Sequence, residues 1–186
     1  MEKSIYLNLK GKNELRPGAL VVVKCHMPDT SALFAARPHL LAHVGAMLDS
    51  YRRLTGRELL ERSGALEDDA RRLFEAPFAA LSHGLEADPV LNFGNRVALA
   101  LWERDFDAFT RIPSRLTVEP MLRDARERLL RVVAAQGYID HYEGVRISAG
   151  GQRFRIAGAV VWNVSDSAGR PLGQAAAFDR WTFLEP

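Results

Sequence analysis

Residues 109–120 read Phe-Thr-Arg-Ile-Pro-Ser-Arg-Leu-Thr-Val-Glu-Pro, and they pose the first chemical question. Arg111 and Arg115 flank Pro113-Ser114, and helical spacing of apolar residues follows. Backbone N–H groups at a helix start, joined by a guanidinium, can hold a phosphate or carboxylate. Pro113 fixes its own φ, so Arg115 is aimed by the chain. This reading puts Arg115 at a cavity or its rim, facing an anion, and leaves Arg111 at the surface. The simpler account has Ser114 or Thr117 capping the helix while the arginines pair with Glu119 or Asp124.

Other reactive types are sparse. His39 and His43 lie one helical turn apart, as two metal ligands would, but no third ligand stands nearby and the glutamate of an HExxH pattern is missing. Asp140, His141 and Glu143 are neighbours on a strand candidate, where alternation sends Asp140 to the face opposite the other two. No nucleophile elbow, phosphate-cradling glycine loop or triad is present. No catalytic residue and no metal ligand is assigned.

Composition bounds the classes of function. Hydrophobic residues make up 47% and charged ones 26%, which suits one globular domain with an extension. The 25 basic and 23 acidic residues nearly balance, and the arginines sit beside acids rather than in a tract, so no nucleic-acid partner is expected. A single cysteine, Cys25, rules out an internal disulfide and fits a reducing cytoplasm. No apolar run reaches the length of a membrane span. The reading is a cytoplasmic protein without a membrane partner.

The elements that must position these residues follow from periodicity. Residues 1–26 are rich in Lys, unlike the Arg-using remainder, and read as a poorly ordered extension that need not be native. Residues 27–76 form a helical region. Leu40, Val44, Met47, Tyr51 and Leu54 make one apolar stripe between Pro38 and Gly56. A short helix over Leu66–Phe74 follows, opened by acids. From residue 77 to 186 the grammar is that of a sheet. Strand candidates cover Phe78–His83, Val90–Phe93, Tyr138–Ser148, Phe154–Val164 and Leu172–Phe183. Between them lie a short helix from Arg96 to about Asp105 and a long one from Glu119 to Gln136. The fold class is α+β: a five-stranded antiparallel sheet flanked by helices, with an N-terminal helical extension.

Specific motifs sharpen this order. They are Leu91-Asn92-Phe93-Gly94-Asn95 leading into Ala98-Leu99-Ala100-Leu101-Trp102, then Pro113-Ser114-Arg115-Leu116-Thr117. Later come Gly144-Val145-Arg146-Ile147-Ser148, Arg153-Phe154-Arg155-Ile156, Val161-Trp162-Asn163-Val164 and Gly173-Gln174-Ala175-Ala176. Together they resemble the MEKHLA domain, a PAS-related module. It ends class III homeodomain–leucine zipper proteins of plants and occurs as small stand-alone proteins in bacteria. The resemblance spans about residues 38–183. It implies a PAS-like sheet whose concave face lines a cavity, and a sensory or regulatory style of function. On that expectation Asn92, Asn95, Arg115, Trp162, Asn163 and Gln174 are the candidate cavity residues. The plainer alternative puts Trp162 in the core and the amides in turns and strand ends.

The resemblance also bears on cofactors. Light-sensing PAS modules carry a reactive cysteine where this chain has Arg111–Leu116, so a flavin photoadduct is not expected. Haem-binding ones place a histidine on the helix corresponding to Glu119–Gln136, which has none, so haem is not expected either. No cofactor is assigned. The expected function is a PAS-like sensory or regulatory module that binds a small molecule or a protein partner. The alternatives are a small enzyme acting on an acidic substrate in the same cavity, or a ligand-free interaction module. A homodimer through the N-terminal helix is expected as well, because its apolar stripe must bury against something.

Overall fold

The computed structural model describes residues 29–119 and 123–185. The extension expected over 1–26 lies outside them. The first helix, Thr30–Ala36 (α1), starts at Asp29, whose carboxylate accepts the Ala32 N–H. The striped helix is His39–Thr55 (α2), ended by Gly56 in the left-handed region. Leu66–Glu75 (α3) follows with Glu67, Asp68 and Asp69 in its first turn.

Six strands then form one antiparallel sheet: Ala79–His83 (β1), Leu91–Gly94 (β2), Tyr138–Ile147 (β3), Arg153–Ser165 (β4), Pro171–Phe178 (β5) and Arg180–Phe183 (β6). The order is β2-β1-β5-β4-β3, with β6 also paired to β4. Between β2 and β3 lie Arg96–Leu101 (α4), Phe106–Phe109 (α5), a 3-10 turn at Ser114–Thr117 and Arg123–Gln136 (α6).

The fifth strand expected over Leu172–Phe183 is two. β5 pairs with Val160–Ser165 and β6 with Phe154–Ala157, end to end along the same long strand β4. The break has a cause at Gly158, whose φ of 65° bends β4 between the two runs. A Cβ there would overlap the Arg180 guanidinium.

The two faces of the sheet are told apart by what their side chains reach. Trp162 donates from Nε1 to the Met47 carbonyl at 3.2 Å and meets the Tyr51 ring edge to face at 5.1 Å. Its face is therefore covered by α2, whose Leu40, Val44, Met47, Leu48 and Tyr51 are all buried. The neighbouring β4 residue Asn163 points the other way and donates to the Val133 carbonyl of α6. The α2 stripe thus finds its partner in the chain's own sheet, which leaves homodimerisation without the apolar face that suggested it.

The strand β3 departs from simple alternation. Its register shifts between Ile139 and Tyr142 and again before Gly144, and His141 has a φ of 66°. His141 Nε2 consequently lies 3.4 Å from Asp140 Oδ1, largely exposed. The two do not face apart as alternation predicts, because the bulge removes the alternation.

Candidate functional site

Between the inner face of the sheet and α6 lies a cavity of about 50 Å³. Leu81, Leu91, Ile156, Val161 and Phe178 give it an apolar wall, and Arg126, Arg146, His83, Tyr142 and Trp102 also line it. A groove of about 790 Å³ runs outside and shares His83, Arg126, Leu130 and Gln174 with the cavity. These four residues mark where groove and cavity meet.

Each polar group is placed by a local cause. Arg126 sits three and four residues before Leu129 and Leu130 and seven before Val133, so helical spacing carries it inward on the apolar stripe of α6. It is half-buried, and among the described residues its guanidinium has no hydrogen bond or ion pair. Burial first, and the charge of Arg146 next, draw its pKa down to about 10 against the opposing influence of Tyr142 and Asp88. It remains a cation at neutral pH.

Arg146 is 8% exposed and points inward from β3. It donates to the Tyr142 hydroxyl at 3.0 Å and to the Val145 carbonyl at 2.9 Å, and its guanidinium stacks 5.2 Å from the Tyr142 ring centre. Gly144 makes this contact possible, since a Cβ there would overlap the Tyr142 hydroxyl. No carboxylate pairs with Arg146 among the described residues.

His83, at the end of β1, places Nδ1 2.9 Å from the Gly84 carbonyl. A carbonyl only accepts, so Nδ1 carries the proton and Nε2 presents a lone pair. Burial is the main cause holding the ring below its ordinary pKa, with Arg126 adding to it against the Gly84 hydrogen bond and Glu86. Nε2 is buried and has no hydrogen-bond partner among the described residues, and the same is true of Trp102 Nε1. Both residues line the cavity, and buried polar atoms are seldom left in this state.

The six candidate residues do not converge there. Asn163 and Gln174 lie on the inner face, where Gln174 donates to the Leu130 carbonyl and to Asn163 Oδ1, so the pair braces α6. Gln174 alone of the six lines the cavity. Trp162 is on the opposite face, in core under α2. Asn92 accepts from the Ser82 hydroxyl, which also bonds His43 Nε2 at 2.8 Å, in a chain reaching toward α2. Asn95 is fully buried and committed to four hydrogen bonds: its oxygen accepts from Ala80 and Ala98, and its amide donates to Leu73 and Phe78.

Arg115 lines the groove, not the cavity, and its Nε meets both Asp88 oxygens at 3.0 Å. The pair is about half exposed, so it is worth little. Glu119 bonds Arg153 instead, and Arg111 is exposed. Ser114 and Thr117 do not start the long helix. They form the 3-10 turn, with Thr117 donating to the Ser114 carbonyl and the Ser114 N–H donating to Pro89. Arg126 and Arg146 are the charged residues that the structure does bring to the cavity. Their signal is a charge on an inward-facing register: Arg126 on the apolar stripe of α6, Arg146 four residues past Tyr142 on a bulged strand.

The MEKHLA domain family model matches residues 41–183, most of the chain. The chain belongs to the MEKHLA domain family. No curated protein sequence matches it. Solved PAS-type structures resemble this MEKHLA chain in fold. The PAS domain of a Colwellia psychrerythraea protein superposes with a TM-score of 0.55 at 12% identity, covering 64% of this chain and 96% of that one. The light-state dimer of the fungal blue-light photoreceptor Vivid gives 0.51 at 14% identity, with 72% and 90% covered. An RNA-binding light-oxygen-voltage receptor gives 0.51 at 17% identity, with 66% and 36% covered. At such identities the likeness establishes the fold of this MEKHLA chain: a PAS-like sheet with helices.

Proposed function

We propose that this MEKHLA protein is a PAS-like sensory or regulatory module that takes a small molecule between its sheet and α6. The observation that carries this reading is one cavity lined by Arg126, Arg146, His83 and Trp102, of which Arg126, His83 Nε2 and Trp102 Nε1 have no hydrogen-bond partner among the described residues. A ligand there touches α6, which Asn163 and Gln174 anchor to the sheet through the Val133, Ala134 and Leu130 carbonyls. Occupancy is read out as a change in how firmly α6 is held, the kind of two-state element a regulatory module needs.

A small enzyme in the same cavity has less support. The His43–Ser82 contact resembles a base beside a hydroxyl, but the Ser82 hydroxyl donates to Asn92 Oδ1 at 2.6 Å and is committed there. Native mass spectrometry of the protein as purified, followed by a thermal-shift screen of small metabolites, separates the readings. A ligand that stabilises and is recovered unchanged supports the sensor. Turnover supports the enzyme. A screen without any stabilising ligand supports an interaction module that works through its surface.

A further inference from the structure

Resting on that reading of the cavity, we infer that its ligand is a small organic carboxylate. The carboxylate lies against Arg126 and Arg146, and a short apolar body lies among Leu81, Ile156, Val161 and Phe178.

Four observations converge on this chemistry. Two guanidiniums and one imidazole line the cavity, and no Asp or Glu does among the described residues. Arg146 is nine-tenths buried with only neutral oxygens as partners. A buried cation is expected to be paired, so the buried Arg146 and the half-buried, unpaired Arg126 in one wall select an anion. Trp102, another lining residue, has its Nε1 without an acceptor among the described residues.

The rest of the wall is hydrocarbon, which favours a carboxylate with carbon attached over a fully hydrated inorganic ion. Size points the same way. One water needs roughly 10–15 Å³ of such space, so a cavity of about 50 Å³ suits a ligand of a few heavy atoms. The way in is the groove, which meets the cavity at Arg126 and Gln174. The rim pair Arg115–Asp88 is a different feature of that groove and is already neutralised.

The test is titration calorimetry and thermal melting of the full chain with acetate, propionate and butyrate at fixed ionic strength. Butyramide serves as the neutral isostere and inorganic phosphate as the bare anion. The expected result is that butyrate binds and raises Tm while butyramide does neither. Arg126→Gln then weakens butyrate by roughly tenfold to a hundredfold, the loss of one charge-assisted hydrogen bond, and Arg126→Lys by less. Ala176→Leu, which narrows the cavity without touching a charge, abolishes binding. Butyramide binding as well as butyrate, or phosphate binding better than every carboxylate, would overturn the organic-anion assignment while leaving a ligand cavity. Butyrate binding that survives Ala176→Leu would overturn the cavity as its site. Failure of all three carboxylates at millimolar concentration would overturn the inference, and the wider screen then decides the sensory reading on its own.

Discussion

Two charges drawn in from the surface, one buried and one half-buried, one in each layer of the molecule, are treated in opposite ways. Asp69, in the helical layer that covers the outer face, has a side chain 1% exposed and fully engaged. The Ser63 N–H and hydroxyl and the Arg62 Nε all donate to it, at 2.7, 3.0 and 2.6 Å. Arg126, on the inner side, has no hydrogen bond or ion pair among the described residues. One layer is finished as folded. The other holds a charge whose counterion is not in the described chain. The contrast extends to neutral groups, since Trp162 Nε1 under α2 is bonded whereas Nε1 of the cavity-lining Trp102 has no partner among the described residues. Satisfied burial is the mark of a core, and unsatisfied burial that of a site.

The comparison breaks first if the outer layer is not a core. Trp162 fills it completely, with Tyr51 against its ring. Trp162→Ala should cost about 3–5 kcal/mol of stability in denaturant unfolding, and a loss below about 1 kcal/mol would mean that layer is loosely held.

Asp69→Asn probes the paired charge itself. Burial alone would raise the Asp69 carboxyl, but the Ser63 and Arg62 hydrogen bonds and the Arg62 charge together hold it below its ordinary range. The substitution should destabilise by about 2–4 kcal/mol, because it leaves Arg62 without its buried partner. With the folded pKa depressed, the Asp69 contribution is present above the unfolded carboxylate value and disappears as pH falls through the folded one. Acid unfolding of the wild type should show that loss, and Asp69→Asn should lack it.

A smaller effect sits nearer neutrality. His43 and His83 are both held below their ordinary value of 6.5, chiefly by burial, with His39 adding in the first case and Arg126 in the second. Below that pH the unfolded chain takes up protons that the folded one refuses, so stability should fall as pH drops from 7 toward 5. The double variant His43→Gln/His83→Gln should flatten that slope. A slope unchanged in the variant would assign it to other groups.

How much of this was legible in the sequence follows from which signals are local. The α2 stripe, the Gly56 end and the alternating strands are short-range patterns, and each element formed close to where spacing put it. The sixth strand was hidden because the bend that divides Leu172–Phe183 comes from a positive-φ glycine, Gly158, in the strand it pairs with. The cavity residues were harder. Asn92, Asn95 and Trp162 are polar or aromatic in the right segments, yet Asn92 bonds Ser82, Asn95 caps α4 and ties it to β1, and Trp162 lies under α2. Arg126 is hard to read from sequence because a charge on an apolar stripe looks like an imperfection in the stripe, whereas the proline before Arg115 points to a fixed direction for that side chain. Its partner, Asp88, lies 27 residues earlier and across a turn that only the folded chain closes.

The most direct test of the central claim is the stability of Arg126→Met without added ligand. Methionine keeps the length and apolar stem of the side chain and removes the unpaired charge. If the guanidinium is held ready for an anion, the variant should be more stable by about 1 kcal/mol, a rise in Tm of about 2–4 °C. A fall of similar size would show that Arg126 already supports the fold, and the inner face would then be a core like the outer one.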